Sequence, residues 1–303
     1  MPYQMQYHIR AHRFGQGAVF FCAILWSTSG LFIKLVDWHP FLIAGCRSFL
    51  AALFLLTIRF LFPPQKKGRR KQPLYMIIGG IMYAATMLCF VSANKLTASA
   101  NVILLQYGAP VWAALLGWVF AKEKPHWEHW FALVLVMGGL FLFFKDGLSG
   151  GSLLGNGIAV LSGIFFGAQS VALRMQKEGN PMDSMIAAHI ICTAASIPFI
   201  FIAFPVITGK SLGAVLFMGF IQIGLASFLF SYGIKRISAI QAMLTAMIEP
   251  VLNPVWVFAA TGEKPSSSAL FGGSIIISAV LISSIIGKRR EMSLRNLKPG
   301  VAD

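Results

Sequence analysis

Two charged residues stand well inside long apolar stretches of this sequence, away from the ends of those stretches, where an ionised group is costly. Glu249 is followed directly by Pro250, and Arg47 lies in the apolar run 41–62. Ionisable side chains in apolar membrane segments mark substrate or ion pathways by default. Glu249 could bind a substrate ammonium group, carry a coupling proton or satisfy the backbone of a broken helix, and all three roles stay open. Arg47 is predicted to anchor its helix by extending toward water, with recognition of a substrate carboxylate as the alternative.

Three prolines are predicted to kink the helices that carry them. Proline has no amide hydrogen, so Pro110, Pro250 and Pro254 each leave a backbone carbonyl one turn earlier without its partner. Polar and small residues recur beside them at helical spacing, as Ser99, Gln106 and Pro110 in one stripe and Ala242, Ala246, Glu249 and Asn253 in another. We expect the two stripes to face each other and line a central cavity, because an amide in lipid needs a partner. Close packing of the small residues is the alternative.

Further candidates for the cavity are polar or amphipathic residues near the centres of apolar runs. They are Trp26, Ser29, Tyr83, Tyr107, Gln169 and Gln222. Aromatic rings can stack on a substrate while amides fix its polar ends. For any one of these residues taken alone, an interhelical hydrogen bond or core filling is favoured over contact with a ligand.

The sequence lacks the patterns of an enzyme or a metal centre. It contains no P-loop, no nucleophile elbow and no histidine cluster, and its four cysteines, at positions 22, 46, 89 and 192, all lie in apolar runs. His189 has no second histidine or acid nearby, which predicts a core histidine rather than a metal or proton site. We therefore expect no catalytic residues, no metal and no cofactor, and no direct use of ATP by this chain.

The composition requires elements that cross a membrane. Of the 303 residues, 57% are hydrophobic and 12% are charged, against roughly 25% charged residues in a typical soluble domain. A helix needs about 20 apolar residues to cross the hydrocarbon core. Ten runs are predicted to do so: 16–36, 41–62, 73–93, 98–120, 127–144, 152–174, 184–204, 211–233, 238–260 and 267–287. An all-α integral membrane protein with short loops is the predicted fold class.

The distribution of basic residues predicts the orientation of these helices. The chain has 25 Lys and Arg against 10 Asp and Glu, a net charge of +15. With the N-terminus in the cytoplasm, 19 of the 25 cations flank the cytoplasmic side, five flank the outer side, and the last is Arg47. The positive-inside rule then places both termini in the cytoplasm. The charge is explained by orientation and by anionic lipid headgroups, so no binding of nucleic acid is expected.

The two halves of the chain are related by a shift of 140 residues. The shift places Pro110 on Pro250 and Leu104 on Leu244 without a gap, and it places the triplet at 123–125 on an identical triplet at 263–265. Five helices per copy is an odd number, so the second copy must enter the membrane from the opposite side. We predict a cytoplasmic tail at 1–15, five-helix repeats at 16–144 and 152–287, and a basic cytoplasmic tail at 288–303.

Several short motifs carry a resemblance to a known family. They are Leu25-Trp26-Ser27, His39-Pro40 followed by Arg47, Thr97-Ala98-Ser99-Ala100 leading to Pro110-Val111, Glu123, the run from Glu249 to Trp256, and Gly262-Glu263-Lys264-Pro265. Over about residues 16 to 287 the chain resembles the EamA-like members of the drug/metabolite transporter superfamily. Lys122 departs from the family pattern, in which Gly often precedes the Glu. The resemblance implies ten helices in two inverted repeats and a small-metabolite carrier of a bacterial plasma membrane, often an exporter, with amino acids common among the substrates.

These observations together predict a secondary active transporter that works by alternating access. The expected substrate is a small metabolite such as an amino acid, the expected direction is export, and proton coupling through Glu249 is a hypothesis. A multidrug or cation exporter and a non-transporting membrane scaffold or sensor are the alternatives. The expected partners are the small-molecule substrate and the lipid bilayer, in a monomer or homodimer of the bacterial plasma (inner) membrane.

Overall fold

The computed structural model describes residues 2–29, 32, 35–63, 72–97, 99–145, 148, 152–203, 205–261 and 266–297. Within these ranges the secondary structure is helical throughout, joined by turns and short extended connections. The helices are α1 (Pro2–Ser27), α2 (Pro40–Leu61), α3 (Pro73–Leu96), α4 (Ser99–Gln106 and Ala109–Ala121), α5 (Trp127–Phe144), α6 (Leu153–Met175), α7 (Met182–Ile202), α8 (Gly209–Ile234), α9 (Ala239–Ala246 and Ile248–Thr261) and α10 (Ser267–Leu297).

Local sequence signals determine where several helices begin. Pro40 and Pro73 occupy the first turns of α2 and α3, where the missing amide hydrogen has no cost. Ser152, Thr208 and Ser238 precede α6, α8 and α9, and each side-chain oxygen accepts a hydrogen bond from a backbone amide in the first turn. Such caps satisfy amide groups that have no partner within the helix.

Seven helices of the described chain are long and apolar enough to cross a membrane, namely α2 to α8. Two shorter apolar helical stretches, Ala239–Leu252 and Leu270–Ile282, lie in α9 and α10. Many large apolar side chains remain exposed on the bundle surface, among them Phe60, Val134 and Phe201. A large exposed apolar surface indicates contact with a partner or a membrane, and here it encircles helices of spanning length. The predicted all-α membrane fold is confirmed.

The helix pairs that pack together in one half of the chain have equivalents in the other half. The equivalent of each helix is found by adding five to its number, or by subtracting five for α6 to α10. α3 packs on α6, and α8 packs on α1; α4 packs on α6, and α9 packs on α1. In the same way α3 packs on α7, and α8 packs on α2. Three further contacts each join a helix to its own equivalent in the other repeat: α2 with α7, α4 with α9 and α5 with α10. This is the contact pattern of two five-helix repeats related by a pseudo-twofold axis.

The first and last helices are longer than the predicted spans. α1 begins at Pro2 rather than at residue 16 and ends at Ser27 rather than at residue 36, and α10 ends at Leu297 rather than at residue 287. Helical hydrogen bonds are satisfied within the backbone, so a helix can continue beyond the apolar run that crosses the lipid. The hydropathy of the sequence marks the membrane crossing and not the end of the helix.

Candidate functional site

The helices α4 and α9 are both interrupted near their centres, at equivalent positions of the two repeats. α4 breaks at Tyr107 and Gly108, and α9 breaks at Met247, which is 140 residues after Tyr107. In each repeat a proline, Pro110 or Pro250, follows the break within three residues. Neither proline can donate the backbone hydrogen bond that would continue the preceding turn. The segment Ile248–Thr261 runs through position 254 without a break, and the side chains of Pro254 and Asn253 lie outside the described residues.

Two glycines of α6 let that helix approach the interrupted backbone of α4. A Cβ atom at Gly163 would lie 2.8 Å from the carbonyl oxygen of Gln106, and one at Gly167 would lie 2.8 Å from the carbonyl oxygen of Ala109. Both distances are too short for a real side chain. The two glycines therefore permit close packing of α6 against the broken turn of α4.

The middle of α8, Met218–Leu225, is a π-helix. Such segments are rare and frequently occur at functional sites. Gln222 lies in this segment and is buried; its Nε2 donates to the carbonyl oxygen of Trp26 at 3.4 Å, while its Oε1 has no hydrogen-bond partner. The π-helical turn thus directs an amide with one free acceptor toward α1.

A cavity lies where these irregular segments meet. It offers about 120 Å³ of space to water and is lined by residues of α1, α2, α3, α4, α6, α8 and α9. Seven of the nine residues that the sequence suggested for a cavity line it: Trp26, Ser29, Tyr83, Gln106, Tyr107, Gln222 and Glu249. The structure brings these residues together, and their contact with a substrate stays a prediction.

Two predicted cavity residues lack a place in this lining. The Gln169 side chain is fully buried, and its Nε2 contacts the Met185 sulfur of α7 at 3.6 Å. Gln169 therefore packs between α6 and α7 rather than at the cavity. The Asn253 side chain, as stated, is outside the described residues.

Glu249 is half-buried in the wall of the cavity and contacts the broken turn of the other repeat. The Tyr107 hydroxyl donates a hydrogen bond to the Glu249 carboxylate. The thiol of Cys22 in α1 is also close to this carboxylate. The acid of the second repeat is thus held by a tyrosine at the equivalent break of the first.

The predicted anchoring role of Arg47 is wrong. Its side chain is 8% exposed and lies in the cavity wall, with Tyr83 of α3 and with His189 and Cys192 of α7 nearby. Neighbouring helices enclose the guanidinium group, so it cannot extend along α2 to water. The position of Arg47 along α2 does not reveal this burial, because the burial depends on packing by α3 and α7.

Five further residues line the cavity without having been suggested by the sequence: Thr86, Met87, Phe90, Phe166 and Ile223. Thr86, Met87 and Phe90 follow Tyr83 at intervals of three or four residues, which places all four on one face of α3. For α3, this helical spacing from Tyr83 is the sequence signal that could have identified the three additional lining residues. For Phe166 and Ile223 we find no signal that separates them from the many apolar residues of the core.

The aromatic and polar lining is itself held in place by neighbouring groups. The Trp26 ring meets Phe166 edge-on, with centroids 6.0 Å apart. Gln106 Nε2 donates to Ser162 Oγ at 2.9 Å, and Ser162 Oγ donates to the Thr86 carbonyl oxygen at 3.1 Å. These contacts connect α1, α3, α4 and α6 around the cavity and restrict the positions of its wall.

A second polar cluster joins the helix ends on one side of the bundle. Arg174 Nε donates to Glu123 Oε1 at 2.6 Å, and Arg174 Nη1 donates to the carbonyl oxygens of Ile234 and Lys235 at 3.2 and 3.0 Å. Glu123 Oε2 accepts from the backbone amide of Ala239 at 3.4 Å. We use the name helix-end network for Glu123, Arg174 and the backbone groups that they bind. It connects the ends of α4, α6 and α8 to the start of α9.

The part of the chain that the structure describes contains no group of three His, Cys, Asp or Glu able to hold a metal ion. His189 is fully buried, and its Nε2 lies 3.0 Å from Ser227 Oγ. Its ring also meets Tyr83 edge-on at 5.6 Å. This arrangement agrees with the core role predicted for His189.

Comparison with known proteins gives consistent matches over most of the chain. The model of the EamA-like transporter family matches residues 13–145 and 153–285. An uncharacterized transporter of Archaeoglobus fulgidus is 26% identical over 90% of this chain and 97% of its own length. The uncharacterized transporter YwfM of Bacillus subtilis is 23% identical over 72% of this chain and 75% of its own length.

Two further matches concern a named exporter and a solved structure. The pseudopaline exporter CntI of Pseudomonas aeruginosa is 24% identical over 69% of this chain and 74% of its own length. A crystal structure with 18% sequence identity superposes with a TM-score of 0.78 and covers 90% of this chain and 98% of the other. That structural match supports the fold alone.

Proposed function

Because the chain belongs to the EamA-like transporter family, we propose that it is a secondary carrier that moves an amino acid or a related small metabolite across the membrane by alternating access. The observation that carries this proposal is the cavity at the two equivalent helix breaks, lined by both Arg47 and Glu249. Broken helices at the repeat interface typically form the substrate sites of secondary transporters. A cavity with a cation, an acid and aromatic rings suits a small zwitterionic solute.

The repeat symmetry supports alternating access. Two copies of one fold, inverted in the membrane, can exchange their conformations, so that a closure on one side has a counterpart on the other. The helix-end network lies about 15 Å from Glu249 along α9, from the rise of 1.5 Å per residue between Ala239 and Glu249. We propose that it closes this side of the bundle and opens when the substrate is exchanged there.

Glu249 is the proposed proton-coupling residue. A carboxyl group in a cavity away from bulk water can alternate between a charged form, which binds a substrate cation, and a protonated form, which releases it. Among the described residues, Tyr107 from α4 and Cys22 from α1 are the ionisable groups facing it, and neither supplies a competing cation. Arg47 is the further charged group of the same cavity.

The proposed location is a bacterial plasma membrane, with both termini in the cytoplasm and net export as the direction. The distribution of 19 cations on one side and five on the other supports the orientation. The similarity to a pseudopaline exporter supports export of a metabolite. A monomer or a homodimer is compatible with this mechanism, since each chain contains its own cavity.

Counterflow in proteoliposomes tests the proposed function. Vesicles loaded with an unlabelled amino acid should accumulate the same labelled amino acid from outside, for at least one member of a panel of the twenty. A lipophilic cation such as tetraphenylphosphonium, tested in parallel, should fail to exchange. If the cation is exchanged and none of the amino acids is, a multidrug exporter is supported instead. If no compound is exchanged, a scaffold or sensor is supported.

A further inference from the structure

Arg47 is a buried cation for which the described part of the chain supplies no counter-charge. Its side chain is 8% exposed, its Nε has no hydrogen-bond partner, and no described carboxylate forms an ion pair with it. Within the described ranges, the ionisable groups that face it are the Tyr83 phenol, the His189 imidazole and the Cys192 thiol. None of these is a carboxylate.

Such an arrangement is costly unless an anion completes it. A guanidinium group keeps its charge in proteins, so it cannot reduce the cost of burial by losing a proton. A buried charge without a partner is strongly destabilising, whereas a carboxylate can accept two parallel hydrogen bonds from the guanidinium group. The free Nε donor of Arg47 is part of that bidentate surface.

The position of Arg47 indicates which anion completes it. Arg47 lines the same cavity as Glu249, and the wall of that cavity includes the rings of Trp26 and Phe166. Gln222 adds a buried Oε1 without a partner, which can accept a hydrogen bond from a ligand. Since Arg47 is enclosed by α3 and α7, a lipid phosphate at the bundle surface does not reach it.

We infer that Arg47 is the residue that binds the carboxylate of the transported solute, so that the cavity distinguishes an amino acid from the amine that lacks its carboxylate. This inference rests on the proposed function and adds the recognition residue to it. The ammonium group of the same solute is placed at Glu249. Lysine at position 47 would keep the charge but lose the planar pair of donors.

Binding to the purified protein in detergent tests the inference. The probes are three amino acids with their decarboxylated amines: L-alanine with ethylamine, L-leucine with isopentylamine, and L-phenylalanine with phenethylamine. The measurement is the concentration of each probe that gives half of the maximal rise in melting temperature. In the wild-type protein at least one amino acid should bind tenfold or more tightly than its amine.

The variants Arg47→Gln, Arg47→Lys and Arg59→Gln separate recognition from general charge. Arg59 is a matched control because it lies on the same helix, pairs with Asp183 and is one-third exposed. Arg47→Gln should reduce the preference for the amino acid to less than twofold, Arg47→Lys should retain part of it, and Arg59→Gln should leave it unchanged. If Arg47→Gln keeps the wild-type preference, or if no amino acid is preferred over its amine, the inference is overturned.

Two further arms separate the carboxylate site from an inorganic anion site and from the carrier function. Potassium chloride alone, at the ionic strength of the amino acid samples, should not raise the melting temperature of the wild-type protein more than that of Arg47→Gln. If it does, an inorganic anion occupies the site and the inference is wrong.

Counterflow in vesicles is measured on the same preparations. If amino acid binding depends on Arg47 but no counterflow occurs, the proposed carrier function is refuted and the carboxylate site stands. If counterflow occurs and Arg47→Gln does not affect it, the carboxylate site is refuted and the carrier function stands.

Discussion

The helix-end network and the cavity each contain one arginine and one glutamate, but they connect them differently. In the network, Arg174 and Glu123 contact each other at 2.6 Å and also bind the backbone of neighbouring helix ends. In the cavity, Arg47 has no described carboxylate partner, and Glu249 is held by the Tyr107 hydroxyl. The same residue types are thus arranged in two ways: the paired charges of the network hold helix ends together, whereas the two charges of the cavity form no described ion pair, as the proposed binding of a solute requires.

Removing the acid of the cavity should have the largest effect. Glu249→Gln preserves shape and hydrogen bonding but removes the charge and the exchangeable proton. Because Glu249 is the proposed coupling site, solute accumulation driven by a pH gradient should fall at least 100-fold, which corresponds to about 3 kcal/mol in the driven step. The measurement is the initial rate of uptake of the labelled amino acid into proteoliposomes, with and without the gradient.

The matched control for Glu249 is Glu178→Gln. Glu178 is an exposed acid in the turn between α6 and α7, so its neutralisation should leave the driven rate unchanged. A Glu249→Gln protein that is still driven by the pH gradient at the wild-type rate would show that the coupling site lies elsewhere.

Removing the cation of the helix-end network should have the next largest effect. Arg174→Gln breaks the contact with Glu123 and the two bonds to the end of α8. Each charge-assisted hydrogen bond contributes about 1.5 to 3 kcal/mol and their effects overlap, so a loss of about 3 kcal/mol in unfolding free energy is expected. Chemical denaturation in mixed micelles measures it.

A double-mutant cycle isolates the pair within the network. Glu123→Gln alone and together with Arg174→Gln should reveal a coupling energy of about 1 kcal/mol or more, since both side chains are largely buried and in direct contact. Additive effects of the two substitutions would mean that Arg174 acts through the backbone carbonyls and not through the acid.

The sequence predicted the helices and the repeat because both depend on features that extend over many residues. Apolar runs of spanning length and a gapless match around Pro110 and Pro250 give a clear signal, and the breaks of α4 and α9 occur just before these prolines. The environment of a single polar residue does not follow from such signals. Arg47 and Gln169 both lie in apolar helices, but the helices packed around them place one in the cavity and the other against Met185.

The π-helix of α8 could not be predicted from the sequence either. Its residues include no proline, and glycines within apolar helices are common in membrane proteins. In the structure Gly219 and Gly224 lie against Leu50 and Phe54 of α2. The change in helical pitch at Gln222 accompanies this packing between two helices that are far apart in the chain, so no local motif predicts it.

A third substitution tests whether the cavity depends on backbone shape as well as on charge. Gly163→Ala places a Cβ atom 2.8 Å from the Gln106 carbonyl oxygen at the break of α4. Overpacking of this kind costs about 1 to 3 kcal/mol, so we expect about 2 kcal/mol of lost stability, measured by chemical denaturation, together with slower counterflow. Gly157→Ala on the same helix is the matched control, because a Cβ atom at Gly157 would meet nothing within 4 Å. Equal effects of the two alanines would exclude the close contact as the cause.

The smallest expected effect concerns a third pair of charges, which refines the comparison between paired and unpaired groups. Arg59 and Asp183 join α2 to α7 at 3.3 Å, but about one-third of each side chain is exposed. Solvent weakens such a pair, and exposed ion pairs contribute about 0 to 1 kcal/mol. Arg59→Gln should therefore lower the unfolding free energy by about 0.5 kcal/mol, against about 3 kcal/mol for Arg174→Gln. If the two arginines prove equally important in denaturation, then burial and backbone contacts do not explain why the helix-end network holds its four helices together.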